Sequence, residues 1–279
     1  EIFGGQVGTS IVTVGLFDLE VEISVTVEAF QPAGVGHLTF SGTGKDTAVQ
    51  GDFVYIASSV GMHIVDASVK ESPVVVATQA TTAAANDVHV VGNVAYVAVG
   101  SSGLDIIDIT DPTAPALITN FDTAGTAVDL AVQLGHVFVA NSAGGMEIVN
   151  VETSNMPFSV STLEGLGSVI GIDAQSDRAV VATNSSIIVI DISDLNSPMR
   201  LGSINIGNVR AVVMDGDYAY VACYTCGYKV LNISNPQLPV ITGGQTGFYP
   251  SDVELTNGLA FFSDILFVNA VPFVNIFDP

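Results

Sequence analysis

Five carboxylates stand where chemistry could be done. Asp46, Asp87, Asp129, Asp252 and Glu254 sit in short segments whose alternate residues are apolar. Alternation places them on one side of their strands together with Gln50, His89, Gln133, Asp173, Gln175 and Asp215, while Val49, Val88, Leu130, Ile172, Val212 and Val253 fall on the other. Oxygen ligands sharing a side can hold Ca²⁺ or another hard cation at one mouth of a channel. The same short carboxylates also cap turns and accept backbone N–H bonds from neighbouring loops. No Asp-rich loop of calcium-binding spacing is present, and both readings stay open.

The second chemical feature is Cys223-Tyr224-Thr225-Cys226, the only cysteine pair. It falls where another repeat has the hairpin turn Ser58-Ser59-Val60-Gly61. A redox pair of this spacing opens a helix in a βαβ unit, which is missing here. Zinc would need two more ligands, and His63, His89 and His136 belong to other repeats. A disulfide across the turn is the expected state, with reduced thiols as the alternative, and a disulfide points to an oxidising compartment.

Catalytic signatures are thin. His37, His63, His89 and His136 are scattered, and no nucleophile elbow, zinc-protease helix or phosphate-cradling glycine loop occurs. A propeller-type hydrolase or lyase working on carbohydrate through paired carboxylates is conceivable, but the chain has no Trp and 7 Tyr with which to stack sugar rings. The expectation is a protein that is not an enzyme and carries no cofactor except, in the cation reading, Ca²⁺. Asn184-Ser185-Ser186 and Asn232-Ile233-Ser234 match the glycan acceptor pattern and are read as chance matches.

What positions these residues is a repeat. Tyr55-Ile56-Ala57, Tyr96-Val97-Ala98, Phe138-Val139-Ala140, Val180-Val181-Ala182, Tyr220-Val221-Ala222 and Phe261-Phe262-Ser263 recur at spacings of 41, 42, 42, 40 and 41. Eleven residues before each triplet ends stands Asp46, Asp87, Asp129, Gly171, Ala211 or Asp252. Between them an alternating run closes in Gly92-Asn93 or Gly216-Asp217, the signature of a strand entering a tight hairpin. A third strand follows (residues 63–66, 104–108, 146–150, 187–191 and 229–232), then a proline loop and a fourth (for example residues 116–120). Four antiparallel strands per unit make a propeller blade. The first strands line the central channel.

Two stretches of these repeats, Gly103-Leu104-Asp105-Ile106-Ile107-Asp108-Ile109-Thr110-Asp111-Pro112 and Ile188-Val189-Ile190-Asp191-Ile192-Ser193-Asp194, resemble the LVIVD-repeat family of bacterial and archaeal proteins. The resemblance covers residues 33–279. It implies a β-propeller on an exported or surface protein and carries no catalytic set.

The fold class is therefore all-β: residues 1–279 as one closed propeller. The last unit stops at a third strand, residues 273–278, and the N-terminal Ile2-Phe3-Gly4-Gly5-Gln6-Val7-Gly8 resembles Ile241-Thr242-Gly243-Gly244-Gln245-Thr246-Gly247, a fourth strand. The N-terminus is expected to clasp the last blade. Residues 10–29 then hold three strands of a divergent blade whose fourth is residues 37–41, giving seven blades. Pro32, Pro73, Pro115, Pro157, Pro198 and Pro239 keep the register. Six blades with an external arm is the runner-up.

Charge narrows the partners. With 28 acidic and 6 basic residues, net −22, the chain has no basic cluster for nucleic acid or an anionic membrane surface, and no apolar run long enough to span a bilayer. It opens at Glu1 with no leader pattern, so a signal peptide is expected to have been removed. Charged residues are only 12% of the chain, about half the usual share. Apolar segments 158–166, 261–267 and 271–273 are expected at the surface, and exposed apolar patches mark interfaces. The leading expectation is an extracellular or cell-surface scaffold that self-associates, into a filament if a swapped clasp propagates, or joins other surface proteins. A monomeric ligand- or cation-binding propeller is the alternative.

Overall fold

The repeat becomes strands where its alternation predicts them. The computed structural model describes residues 8–16, 19–27, 36–247, 249–256, 258–264 and 273–275, and its regular elements are all strands. Among the described residues no helix is long and apolar enough to cross a membrane.

Five four-stranded antiparallel sheets follow one another along the chain. Blade one is β3 (Gly44–Gln50), β4 (Phe53–Ser58), β5 (Gly61–Asp66) and β6 (Val74–Gln79). Blade two is β7 (Asp87–Val91), β8 (Val94–Ala98), β9 (Leu104–Asp108) and β10 (Ala116–Phe121). Blade three is β11 (Asp129–Gln133), β12 (His136–Ala140), β13 (Met146–Asn150) and β14 (Phe158–Leu163). Blade four is β15 (Val169–Gln175), β16 (Arg178–Thr183), β17 (Ser186–Asp191) and β18 (Met199–Asn205). Blade five is β19 (Val209–Asp215), β20 (Tyr218–Cys223), β21 (Gly227–Asn232) and β22 (Val240–Gln245). A sixth sheet has three described strands, β23 (Pro250–Thr256), β24 (Leu259–Asp264) and β25 (Phe273–Asn275).

Local chemistry explains the hairpins. Gly51, Gly92 and Gly216 open the first-to-second turns at φ of 62°, 60° and 54°, a left-handed conformation that glycine adopts without a steric cost. In blades three and four Leu134 and Ser176 hold that position at φ of 48° and 57°. The pairing of third and fourth strands carries a bulge in all five complete blades, for example between Ile148 and Val149. Such bulges twist an outer edge and blunt it against edge-to-edge pairing.

The core lies in slabs between blades. The first strands pack in succession, β3 on β7, then β11, β15, β19 and β23. Second strands are apolar on both faces because each face meets a different neighbour. Ala95 and Val97 of β8 pack with Tyr55, Met62 and Ile64 of blade one, whereas Tyr96 and Ala98 pack with Leu130, Val137 and Val139 of blade three. Each fully buried Val, Leu or Ile in such a slab contributes about 1.5–3 kcal/mol. Tyr228 stacks on Phe262 with ring centroids 4.7 Å apart, joining blades five and six.

Upstream the structure departs from expectation. Among the described residues of 10–29 there are two strands where three were expected: β1 (Gly8–Leu16) and β2 (Leu19–Val27) form a two-stranded antiparallel hairpin. Their register pairs Val12 with Ile23, Val14 with Val21 and Leu16 with Leu19, and on the other face Thr13 with Glu22 and Gly15 with Glu20. Residues 37–41 are not a strand; His37 and Leu38 make no ladder, and the segment instead brings Phe40 to the His63 ring at 5.0 Å. The expected clasp, residues 2–7, lies outside the described residues, as do residues 276–278, and Gly8 belongs to β1. Of the segments expected at the surface, Phe158 is exposed, but Leu166 and Phe262 are buried, and residues 265–272 lie outside the described residues. Val49, placed on the apolar phase, is exposed at the end of β3.

Candidate functional site: the carboxylate mouth

Each complete blade has two ends. Second-to-third turns and blade-to-blade connections form the mouth end, and Asp46, Asp87, Asp129 and Asp252 stand there, opposite Ala57, Ala98, Ala140 and Ser263 on the second strands. Asp173 and Glu254 sit further along, opposite Val180 and Phe261. The first strands bring these acids close enough to perturb one another. Asp46 acts on Asp87, Asp129 and Asp252, and Asp252 acts on Asp129.

Three of these acids, Asp46, Asp129 and Asp173, are spent on backbone amides of the next blade. Asp46 Oδ2 accepts the Val88 N–H at 3.1 Å, Asp129 Oδ2 that of Ile172 at 2.6 Å and Asp173 Oδ2 that of Met214 at 2.8 Å. A second rung uses glutamines, with Gln133 Oε1 accepting Ser176 N–H at 3.0 Å and Gln175 Oε1 accepting Gly216 N–H at 2.7 Å. Asp252 differs, its Oδ1 accepting the N–H of its own neighbour Val253 at 2.8 Å.

Burial sets the protonation. Desolvation, then the Asp129 and Asp46 carboxylates, push Asp87 well above the ordinary range. Desolvation raises Asp129 to about 8 against the pull of its amide donors. Asp173, Asp252 and Glu254 are raised too, again chiefly by desolvation. Asp252 and Glu254 are exposed by area, but the space they face lies among the first strands, where bulk water screens poorly. The His89 side chain keeps 43% of its area open, yet for the same reason desolvation holds its imidazole below the usual value. At neutral pH burial therefore favours the neutral form of Asp129 and Asp87 and of the nearby His89 imidazole.

One oxygen is left over. Asp87, 5% exposed, has a buried Oδ2 with no hydrogen-bond partner, and His89 Nε2 is 3.9 Å away, beyond hydrogen-bond reach. Among the described residues no group of three or more His, Cys, Asp or Glu side chains is placed to hold a metal ion. The amide-accepting role read from sequence describes Asp46, Asp129 and Asp173, although their donors lie on the first strand of the next blade and not in a loop or turn. Asp173 belongs with them although its blade has Gly171 in the usual register. The signal for it was the polar phase alone.

A second polar set escaped sequence reasoning. At one position of the third strand, His63, Asp105 and Glu147 are all buried. His63 Nε2 donates to the Ser41 carbonyl at 2.9 Å, leaving Nδ1 to accept from Thr78 Oγ1 at 2.9 Å. Asp105 accepts the Thr82 N–H and hydroxyl and the Asn120 amide, each at 2.8 Å. Glu147 accepts Ala124 N–H at 2.7 Å, Asn141 Nδ2 at 3.0 Å and Ser159 Oγ at 2.7 Å. Each ties the connection entering its blade. Their lone pairs are occupied by structure.

Cys223 and Cys226 stand at disulfide distance across the β20–β21 turn, with Cα atoms 5.2 Å apart. Beside it Arg210 lies over the Tyr224 ring at 5.1 Å, and Tyr224 meets Tyr249 edge to face at 5.7 Å. Asn184 is exposed in its turn, whereas Asn232 Oδ1 accepts Ser234 N–H and Oγ at 3.0 and 2.6 Å.

The architecture is shared widely. A crystal structure of a functionally unknown protein from Desulfotomaculum acetoxidans DSM 771 superposes with a TM-score of 0.71 at 15% identity, over 89% of this chain and 90% of that one. The computationally designed Ika8 protein superposes with a TM-score of 0.61 at 12% identity, over 86% of this chain and 85% of its own. At such identities the likeness is one of fold. No curated protein matches the chain. The LVIVD repeat model matches five times, at residues 41–81, 83–123, 124–159, 167–205 and 206–244. The chain therefore belongs to the LVIVD-repeat family.

Proposed function

We infer that the protein is a non-enzymatic scaffold of the cell surface or extracellular space, a closed ring that assembles with further copies or with other surface proteins. The observation that carries this is the use of its polar side chains. Asp46, Asp129, Asp173, Asp105 and Glu147 are hydrogen-bonded to backbone amides across or between blades, so the groups that a catalyst would turn toward substrate hold the frame together instead. Closure is supported by the Asp46 carboxylate lying near enough to help raise Asp252, the two being on the first and last of the six first strands. Hairpin β1–β2 stands as part of a seventh blade. A Cys223–Cys226 disulfide fits an oxidising compartment. The low share of charged residues favours association, as does hairpin β1–β2, because a two-stranded sheet is marginal in water without a packing partner.

Light scattering at high protein concentration in physiological salt is expected to show a multimer. A strict monomer would remove assembly and leave a lone binding propeller. Two free thiols in protein purified without reductant would remove the extracellular placement.

A second reading, cation binding at the mouth, draws on the unpartnered Asp87 Oδ2. Calorimetric titration with Ca²⁺ that yields no heat, with no rise in melting temperature, ends it.

A further inference from the structure

The exposed apolar side chains are not spread evenly. Of the thirteen exposed large hydrophobics among the described residues, twelve lie at the end of the blades opposite the mouth, in or beside the first-to-second turns and the third-to-fourth loops. Only Val60 stands at the mouth end. Near the first strands are Val49, Val91 and Leu134, and toward the outer strands are Met156, Phe158 and Met199; Leu134 is 85% exposed and Phe158 56%. Scattered single apolar residues need no explanation, but a concentration on one end marks an interaction surface.

The same end is acidic. Asp52, Asp111, Asp177, Asp194 and Asp217 are exposed in its turns and loops. Many of its carboxylates are held by the loops themselves. Asp108 Oδ1 accepts Thr110 N–H at 2.8 Å, and Asp111 Oδ1 accepts Thr113 N–H at 2.9 Å and its hydroxyl at 2.7 Å. Those hydrogen bonds hold Asp66, Asp108, Asp111 and Asp191 below the ordinary carboxylate range, so they stay ionised. Basic residues there are few. Arg178 is engaged by Asp217 at 2.9 Å and by Asp177, Arg200 turns along its strand to Ser203 Oγ, and Lys70 stands in a loop.

Charge selects the occupant. Two copies meeting through this end would press two sets of fixed carboxylates together, and like charges across an interface cost affinity. An apolar surface studded with negative charge fits its opposite. We propose that this end is the docking face for a cationic amphipathic segment of another protein, whose apolar side chains cover Leu134, Phe158 and their neighbours while its Lys and Arg groups meet the loop carboxylates. This goes beyond the scaffold reading and does not depend on the oligomeric state.

The test uses the whole chain and three synthetic helical peptides: Lys/Leu amphipathic, Lys/Ser of equal charge, and Glu/Leu. Fluorescence anisotropy in physiological salt is expected to show the Lys/Leu peptide bound at least about tenfold more tightly than either other, the factor that roughly 1.4 kcal/mol of extra burial supplies. Leu134→Ser with Phe158→Ser should weaken that binding by about tenfold or more, while Val60→Ser leaves it unchanged. Equal binding of the Lys/Ser peptide would reduce the effect to bulk charge attraction and overturn the proposal. So would a turn-end variant that binds as well as the parent, or a Glu/Leu peptide that binds as well as Lys/Leu. If the double variant melts early, Val49→Thr with Val91→Thr carries the same comparison with less change of shape.

Discussion

Asp129 Oδ2 accepts the Ile172 backbone N–H at 2.6 Å, across the boundary between blades three and four. Asp46 and Val88 repeat the contact between blades one and two. Asp129→Ala should cost about 1–3 kcal/mol, because it leaves an amide in the interior without an acceptor. Asp129→Asn should cost less, since its carbonyl oxygen can still accept. Denaturant titration of both variants checks this, and equal losses would contradict the staple.

Stability should fall as pH rises. Asp129 is raised to about 8 and Asp87 well above its ordinary value, so the folded protein binds protons that the unfolded chain releases near pH 4. The contribution of Asp129 is fully present below pH 4 and is lost as pH climbs through about 8, and that of Asp87 is likewise lost as pH rises. Across pH 5 to 9 the melting temperature should drop, and Asp129→Asn should flatten the decline. A melting temperature that holds or rises over that range would show the mouth acids to be ionised in the native state.

Tyr220→Phe should stabilise the protein. Tyr220 is fully buried and its hydroxyl has no partner, while burial, reinforced by Asp215, raises it to about 12. Removing an unsatisfied hydroxyl relieves a desolvation cost of about 1 kcal/mol or more. A lower melting temperature in the variant would mean that the hydroxyl has a partner, a buried water for instance.

Gly202→Ala should destabilise by about 1–3 kcal/mol. Gly202 lies in β18 beneath the loop of blade five, where a methyl group would meet the carbonyl oxygens of Pro236 and Gln237, the latter at 2.7 Å. Gly216→Ala tests the opposite case, because nothing approaches within 4 Å of that position but its φ is +54°. There the cost is backbone strain alone, about 1–2 kcal/mol. Comparable losses at Gly202 and at an exposed, regular strand position would argue against the close approach.

The sequence by itself determined the blades. Period-two alternation and left-handed glycine turns act within a few residues, so Asp87–Val91, Leu104–Asp108 and Met146–Asn150 begin and end where their residues predict. It also picked out the mouth acids, since a polar phase on an otherwise apolar strand is visible locally. Only the tertiary structure decided what those acids do. A carboxylate's partner lies some forty residues away, as Asp46 lies from Val88, and no local pattern says whether the facing group is an amide or another acid. Asp105 and Glu147 look like surface positions in sequence and are buried because a loop from outside their own sheet closes over them. The apolar end was hidden for the same reason. Leu134 and Phe158 are 24 positions apart in the chain, and the antiparallel folding of the blade turns both toward one end.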